Sequence, residues 1–216
     1  MNLILARHGN TFAPGQPSVW AGAKDDLVLV ESGRQQASTL ASGLTEATFI
    51  PSTIYCGPLK RTREYASIVA QTLKLSTAPI VEPRLNEIDY GQWSGLSNEQ
   101  VIAKFGEEAL HDWTTKCIWP ANGEWRRSPL VIQSEIVSLV DELKLKHSAS
   151  ENILLVTSNG RLRYFLSIVP NEFEKHVQSQ SFKVATGNVC VMSLVGDRFE
   201  LRAWNAAPEQ LTTCRA

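Results

Sequence analysis

The stretch LLVTSNGRLR, residues 154–163, constrains the fold of this chain more than any other feature. An apolar run stops at three small polar residues, Ser158, Asn159 and Gly160, and a basic helical pattern follows. This order predicts a buried strand, a tight polar turn and the start of a helix. A strand that leads directly into a helix is the repeating unit of α/β folds.

The same alternation runs through the rest of the chain. Apolar runs predict short strands at residues 2–6, 53–56, 153–157, 189–194 and 199–204. Apolar residues spaced i, i+3, i+4, i+7 predict helices at residues 31–46, 59–74 and 129–146, and residues 160–169 also have a helical pattern. The pattern predicts a three-layer α/β/α sandwich with a mostly parallel central sheet, in one domain that spans residues 1–216.

Residues 94–128 interrupt this alternation. The segment reads as an irregular excursion from the sheet and as a candidate lid, and three of its residues are tryptophans: Trp113, Trp119 and Trp125. Together with Trp20 they could form an apolar rim around a ligand. Ordinary core packing is the favoured interpretation, because large aromatic side chains bury well.

Composition excludes several functional classes. The formal net charge of −1 gives no indication of nucleic-acid binding or of an anionic membrane surface. No apolar stretch approaches the roughly 18 residues of a membrane helix, and the N-terminus lacks the basic segment and the long apolar run of a signal peptide. The sequence therefore predicts a soluble, cytoplasmic protein with neither nucleic-acid nor membrane partners.

The chain shows no pattern of metal ligands. The four cysteines have no CxxC spacing and are predicted to be free thiols. His111, His147 and His176 are isolated in the sequence and are interpreted as solvent-facing helix residues. We expect no metal and no other cofactor.

Three predicted strands end in residues suited to an anion. The first leads into RHGNT (7–11), the second into GPLKR (57–61) and the third into SNG (158–160). Ligands of α/β sheets bind at such carboxyl ends. Arginine offers a planar fork for phosphate oxygens, and a neutral imidazole is a competent nucleophile. Each turn alone is also typical of an ordinary loop, but together they predict that Arg7, His8 and Arg61 converge on a phosphoryl group.

These residues lie in segments that resemble the histidine phosphatase superfamily, the phosphoglycerate-mutase-like proteins. The segments are LARHGNT, LVLVESGRQQA, CGPLKRTREYA, RLNEIDYGQWSG, LLVTSNGRLR, and NVCVMSL followed by LRAWN. They occur in the family's order from about residue 3 to residue 211. The resemblance implies a phosphoglycerate-mutase-like fold.

The resemblance also implies a role for four side chains. His8 would be the nucleophile that becomes phosphohistidine, and Arg7 and Arg61 would bind the phosphoryl oxygens. Glu87, in LNEIDYG, would protonate the leaving oxygen and then activate water. Phosphoryl transfer fits this set, because positioning and positive charge do most of the work in that reaction. Without the resemblance, Glu87 would be interpreted as an exposed loop carboxylate.

One position departs from the family pattern. Ser158 stands where the family usually has a second pocket histidine, and a serine brings a hydrogen-bond donor but no charge. Losing one such donor typically costs on the order of 10²–10³ in rate. Asn10, Ser158, Asn159 and the Gly160 amide are nevertheless predicted to contact phosphate. We favour a pocket rebuilt around the serine, in which Asn159 or Arg161 replaces the missing group.

The leading functional prediction is a phosphoric monoester hydrolase of the histidine acid phosphatase type, acting on a phosphorylated small molecule. The alternative is a catalytically weak or inactive protein that binds a phosphorylated ligand. A phosphoglycerate mutase is less favoured, because it must hold a bisphosphorylated sugar acid and exclude water. A homodimer is left open.

Overall fold

Residues 1–214 are described by the structure, a computed structural model, and they contain a single six-stranded sheet. Its strands are β1 (Asn2–Arg7), β2 (Thr53–Cys56), β3 (Ile80–Val81), β4 (Asn152–Thr157), β5 (Val189–Val195) and β6 (Arg198–Ala206). Their order across the sheet is β3-β2-β4-β1-β5-β6. The pairings β1–β4, β2–β4 and β2–β3 are parallel, whereas β5 runs antiparallel to β1 and to β6.

Seven α-helices connect and cover the strands within these residues. They are α1 (Glu31–Glu46), α2 (Lys60–Thr72), α3 (Asn98–Phe105), α4 (Glu107–Lys116), α5 (Pro129–Lys146), α6 (Asn159–Leu162) and α7 (Glu172–Ser179). The four-residue α6 continues directly as a 3₁₀ helix, Arg163–Ile168.

The sheet is buried on both faces, which explains why its central strands are apolar at almost every position. On one face, Leu3 and Leu5 of β1 belong to a core with α5 and the tryptophans. On the other face, Ile4 and Ala6 belong to a core with α1 and α2. Strand side chains alternate between faces, so a strand covered on both sides needs a continuous apolar run. The predicted three-layer α/β/α architecture is confirmed. The single domain of 1–216 stays a prediction, with residues 215 and 216 outside the described part.

The excursion at residues 94–128 is not irregular as predicted, because α3 and α4 lie within it. Ser97 and Gln100 form a reciprocal capping box that starts α3. Gly106 then separates the two helices with φ 89°, a conformation that favours glycine. Trp113 and Trp125 are buried, as the packing interpretation expected. A role of this segment as a lid stays a prediction.

Two further predictions need correction. His176 is buried, with its ring against Trp204, and only 9% of the His147 side chain is exposed, so neither faces solvent. His147 lies between Tyr55, at 3.1 Å from the tyrosine oxygen, and Glu151. All four cysteines are free and buried.

No helix in residues 1–214 has the length and apolar character to cross a membrane. In the same residues, no three or more His, Cys, Asp or Glu side chains group as metal ligands would.

Candidate active site

A cavity of about 450 Å³ opens at the carboxyl ends of β1 and β4. The predicted site residues in its lining are Arg7, His8, Asn10, Arg61, Glu87 and Asn159. A recess of about 630 Å³ along the outer face of α5 contains none of these residues. The convergence expected from the strand ends is therefore present in the structure.

His8 follows the last residue of β1 and is only 6% exposed. Its Nδ1 atom lies 2.8 Å from the Gly9 carbonyl oxygen, which can only accept, so Nδ1 carries the ring hydrogen. Burial lowers the pKa of His8 well below its usual value, and the charges of Arg61 and Arg7 lower it further. The imidazole is thus neutral, with the lone pair of Nε2 directed away from its backbone anchor.

Arg61 fixes the other side of the imidazole. Its Nε donates to His8 Nε2 at 3.2 Å, and its Nη atoms donate to the carbonyls of Ala21, Gly22 and Asp25. Arg61 is 1% exposed, and burial lowers its pKa, whereas the nearby Glu87 charge raises it. Its guanidinium is thus held in place beside the His8 ring.

Arg7 is only partly fixed. Its Nη1 donates to the Val184 carbonyl at 2.6 Å, whereas its Nε is buried and has no hydrogen-bond partner within residues 1–214. Burial lowers the pKa of Arg7. The charges of Arg163 and Arg61 lower this pKa further, whereas the charge of Glu87 raises it. One donor of this guanidinium is therefore unsatisfied in the structure.

Glu87 is buried and held by backbone amides. Its Oε1 accepts from the amides of Ile88 at 2.8 Å and Arg161 at 3.1 Å, and its Oε2 accepts from Gly160 at 3.3 Å. A Cβ on Gly160 would lie 2.6 Å from Glu87 Oε1 and would also clash with the Tyr90 hydroxyl, so glycine is required there. The expectation that the Gly160 amide serves phosphate is not supported, because Glu87 occupies that donor.

The remaining predicted residues lie around this centre. Asn10 lines the cavity and its Oδ1 accepts from the Thr186 hydroxyl. Asn159 also lines it, and its Oδ1 accepts from the Val184 amide at 2.9 Å, so its amide group is turned toward the 181–187 loop. Ser158 is 1% exposed, and its hydroxyl has no hydrogen-bond partner among the described residues.

Two arginines after Ser158 have opposite environments. Arg161 donates to the Asn86 carbonyl at 2.7 Å and pairs with Glu135 at 2.8 Å, so it does not replace charge in the cavity as the sequence suggested. Arg163 lines the cavity instead, with its guanidinium 4.2 Å from the centre of the Trp113 ring. The sequence showed both arginines but gave no signal for which one points inward.

Tyr90 is the other residue that sequence reasoning missed. It is 3% exposed and lines the cavity beside Trp20, with ring centroids 5.2 Å apart. Burial raises its pKa well above the usual value, and the nearby Glu87 charge adds to this rise. Its hydroxyl is thus a neutral donor next to Glu87. It lies three residues after Glu87, and that proximity is the one signal that could have found it.

The site brings together a buried imidazole, two guanidiniums and a carboxylate held by backbone amides. A set of this kind offers a nucleophile and positive charge, which are what phosphoryl transfer needs. The sequence profile of the histidine phosphatase superfamily (branch 1) matches residues 3–207, so the chain belongs to this family.

Two proteins with similar sequences are phosphoglycerate mutases. The chain is 34% identical over 113 residues to a 2,3-bisphosphoglycerate-dependent phosphoglycerate mutase of Tropheryma whipplei, a match that covers 52% of this chain and 50% of the mutase. It therefore spans about half the length of that relative. A mutase of the same name from Parvibaculum lavamentivorans is 26% identical over 196 residues, covering 89% of this chain and 90% of the mutase.

A solved structure has the same fold. The mycobacterial glucosyl-3-phosphoglycerate phosphatase, in complex with VO₃, superposes with a TM-score of 0.76 at 22% identity, covering 95% of this chain and 99% of that chain. The likeness places the sheet and its helices in a known architecture, and at this identity it supports the fold alone.

Proposed function

We propose that this protein is a phosphomonoester hydrolase that works through a phosphohistidine on His8. One observation carries the proposal: the neutral His8 ring has Nδ1 anchored to the Gly9 carbonyl and Nε2 beside the Arg61 guanidinium. A nucleophile for phosphoryl transfer needs an unprotonated nitrogen and positive charge where the phosphoryl oxygens arrive. His8 Nε2 carries no proton, and its 3.2 Å hydrogen bond from Arg61 Nε has to give way as phosphorus approaches. Arg61 supplies the positive charge.

The first half-reaction transfers the phosphoryl group to the enzyme. The lone pair of His8 Nε2 attacks phosphorus, a P–N bond forms, and the P–O bond to the leaving group breaks. Arg61 and Arg7 stabilise the negative charge on the phosphoryl oxygens with charge-assisted hydrogen bonds. Glu87, in its protonated form, gives its proton to the leaving oxygen, so the product departs as a neutral alcohol.

The second half-reaction returns the enzyme to its starting state. The Glu87 carboxylate takes a proton from water, the water oxygen attacks phosphorus, and the P–N bond breaks to release phosphate. Glu87 Oε2 is the oxygen suited to these proton transfers, because it makes a single 3.3 Å contact, whereas Oε1 accepts two amides. The same group serves as acid and then as base, as in other double-displacement reactions.

Trapping of the intermediate tests this function. Rapid acid-free quenching of the enzyme with an aryl phosphate should yield one phosphoryl group per chain, labile to acid, on a peptide that contains His8. The His8→Ala variant should yield none. Label on another residue, or turnover without any label in the wild type, would contradict the assignment.

A second candidate, a weak catalyst or sensor that binds a phosphorylated ligand, is favoured by one observation. Ser158 brings no charge to the site, and its buried hydroxyl has no partner in the described residues. The same trapping experiment separates the two functions, since a sensor binds vanadate or phosphate but accumulates no phosphohistidine.

A further inference from the structure

Arg163 is a buried cation with no counterion. It is 2% exposed, and none of the ion pairs among residues 1–214 includes it. Arg161, two residues earlier, is 1% exposed and is paired with Glu135. A buried charge is costly unless it is paired, so the unpaired Arg163 requires a reason that Arg161 does not.

The surroundings of Arg163 hold it in place and leave one donor free. Its Nη1 donates to the Trp113 carbonyl at 2.6 Å, and its guanidinium stacks on the Trp113 ring. Its Nε is buried and without a hydrogen-bond partner in the described residues. Because Arg163 also lines the cavity, it presents a fixed positive charge to whatever enters.

Arg163 and Arg61 are anchored on different elements around the cavity. Arg61 donates to His8 Nε2, whereas Arg163 is held by the carbonyl and the ring of Trp113 in α4 and makes no hydrogen bond to His8 among the described residues. A phosphoryl group on His8 would therefore meet Arg61, which leaves Arg163 for another part of the substrate.

We infer that Arg163 determines substrate class by binding a second anionic group, a carboxylate or a second phosphate, on the leaving part of the substrate. The inference rests on the proposed phosphatase function and deepens it. Four cationic side chains line the cavity: Arg7, Arg61, Arg163 and Lys183. A phosphomonoester dianion engages the two nearest His8, and a second oxyanion neutralises the positive charge that remains.

Matched substrates test the inference. Phenyl phosphate carries only the reacting group, 3- and 4-carboxyphenyl phosphate add a carboxylate at two distances, and 1,3- and 1,4-phenylene bisphosphate add a second phosphate instead. The wild type should prefer at least one of the four over phenyl phosphate by about 10- to 100-fold in kcat/KM, the range of a charge-assisted hydrogen bond. The preferred member identifies which oxyanion Arg163 takes.

The Arg163→Met variant keeps a long apolar side chain against Trp113 and removes the charge. In this variant, kcat/KM for the preferred substrate should lie within about threefold of kcat/KM for phenyl phosphate. If the methionine variant does not fold, Arg163→Gln should give the same result. Arg161→Met is the matched control, because it removes an equally buried arginine: rates on all five substrates should fall together, with the preference retained. Preference that survives in both Arg163 variants, or a wild type without preference, would overturn the inference.

Failure of the phosphatase function has a different signature. If the wild type hydrolyses none of the five compounds, calorimetric binding of phenylphosphonate and of the 3- and 4-carboxyphenylphosphonates replaces kinetics. The wild type should then bind at least one carboxylated phosphonate about tenfold or more tightly, and Arg163→Met should bind all three alike. Equal affinities in the wild type would reject the role of Arg163 by themselves.

Discussion

The carboxyl ends of β1 and β4 are neighbours in the sheet, with Arg7 opposite Thr157, but they are built differently. At the β1 end, both ring nitrogens of His8 have partners, and Arg61 is tied to three carbonyls. At the β4 end, the Ser158 hydroxyl and Arg163 Nε have no partner among the described residues. Arg7 combines both situations: its Nη1 donates to the Val184 carbonyl, whereas its Nε has no partner among the described residues.

We infer from this difference that one part of the site carries out the reaction and that the other part selects the substrate. Donors held in place before the substrate arrives lower a barrier, because they need not reorganise during the reaction. Donors left unsatisfied gain a partner only when the correct ligand binds, so they discriminate between ligands. Under the proposed function, the β1 end is the catalytic half of the site and the β4 end is the selective half.

His8→Ala gives the sharpest test of this contrast. Removal of the nucleophile should reduce kcat by roughly 10⁴-fold or more, with the fold retained by circular dichroism. Ser158→Ala, at the β4 end, should cost less than about tenfold on a generic aryl phosphate. Equal losses in the two variants would remove the distinction between the two ends.

Arg61→Ala should have the next largest effect. It removes a fixed charge beside His8, so we expect a loss of about 10²–10³ in kcat and weaker binding of vanadate or tungstate. Arg63→Ala is the matched control, because Arg63 lies on the same helix and is exposed. Oxyanion affinity that is unchanged by Arg61→Ala would place the anion elsewhere.

Gly160→Ala tests how the β4 turn supports the β1 chemistry. The added Cβ would lie 2.6 Å from Glu87 Oε1 and would displace the carboxylate. We expect kcat to fall on the order of 10²-fold, as for a misplacement of about 1 Å, with little change in vanadate affinity. A normal kcat would show that the position of Glu87 does not limit the reaction.

The neutral state of His8 predicts a dependence of stability on pH. Since the folded pKa lies well below the ordinary 6.5, the unfolded chain binds a proton below pH 6.5 that the folded protein rejects, so stability falls on acidification. Thermal or urea unfolding at pH 7 and pH 5.5 should show that the wild type loses about 1 kcal/mol more than His8→Ala. Equal losses would mean that His8 is protonated in the folded protein.

Ser158→His should have the smallest effect. Ser158 is 1% exposed, and the nearby Arg163 already supplies positive charge to this side of the cavity. A histidine would crowd the turn, so turnover of an aryl phosphate should stay within about threefold or fall. A gain of tenfold or more would show that the serine is a handicap and that the β4 end is not adapted.

Periodicity sufficed to predict most of the fold. The helices at 31–46 and 129–146 and the strand at 53–56 have their predicted bounds, because each buries a regular apolar face against the sheet. The short elements were missed for the opposite reason. β3 has two residues and α7 has eight, so each is too short for an apolar pattern to repeat along it.

The candidate site was predictable only in part. Strand ends indicated Arg7, His8 and Arg61, because their position follows from the topology of a parallel sheet. The orientation of Arg161 and Arg163 was not predictable. Residues two apart lie on opposite faces of a helix, and only tertiary packing, which no local pattern records, decides which face meets the cavity.

The central position of β1 has a consequence for biosynthesis. Residues 2–7 pair with 152–157 on one side and with 189–195 on the other. The strand that positions His8 leaves the ribosome before both of its neighbours, which lie far later in the sequence. Such non-local pairing slows folding, because long loops must close before any contact forms. A nascent chain that ends before residue 195 therefore lacks a complete strand beside His8, and the proposed active site can assemble only after β5 has been made.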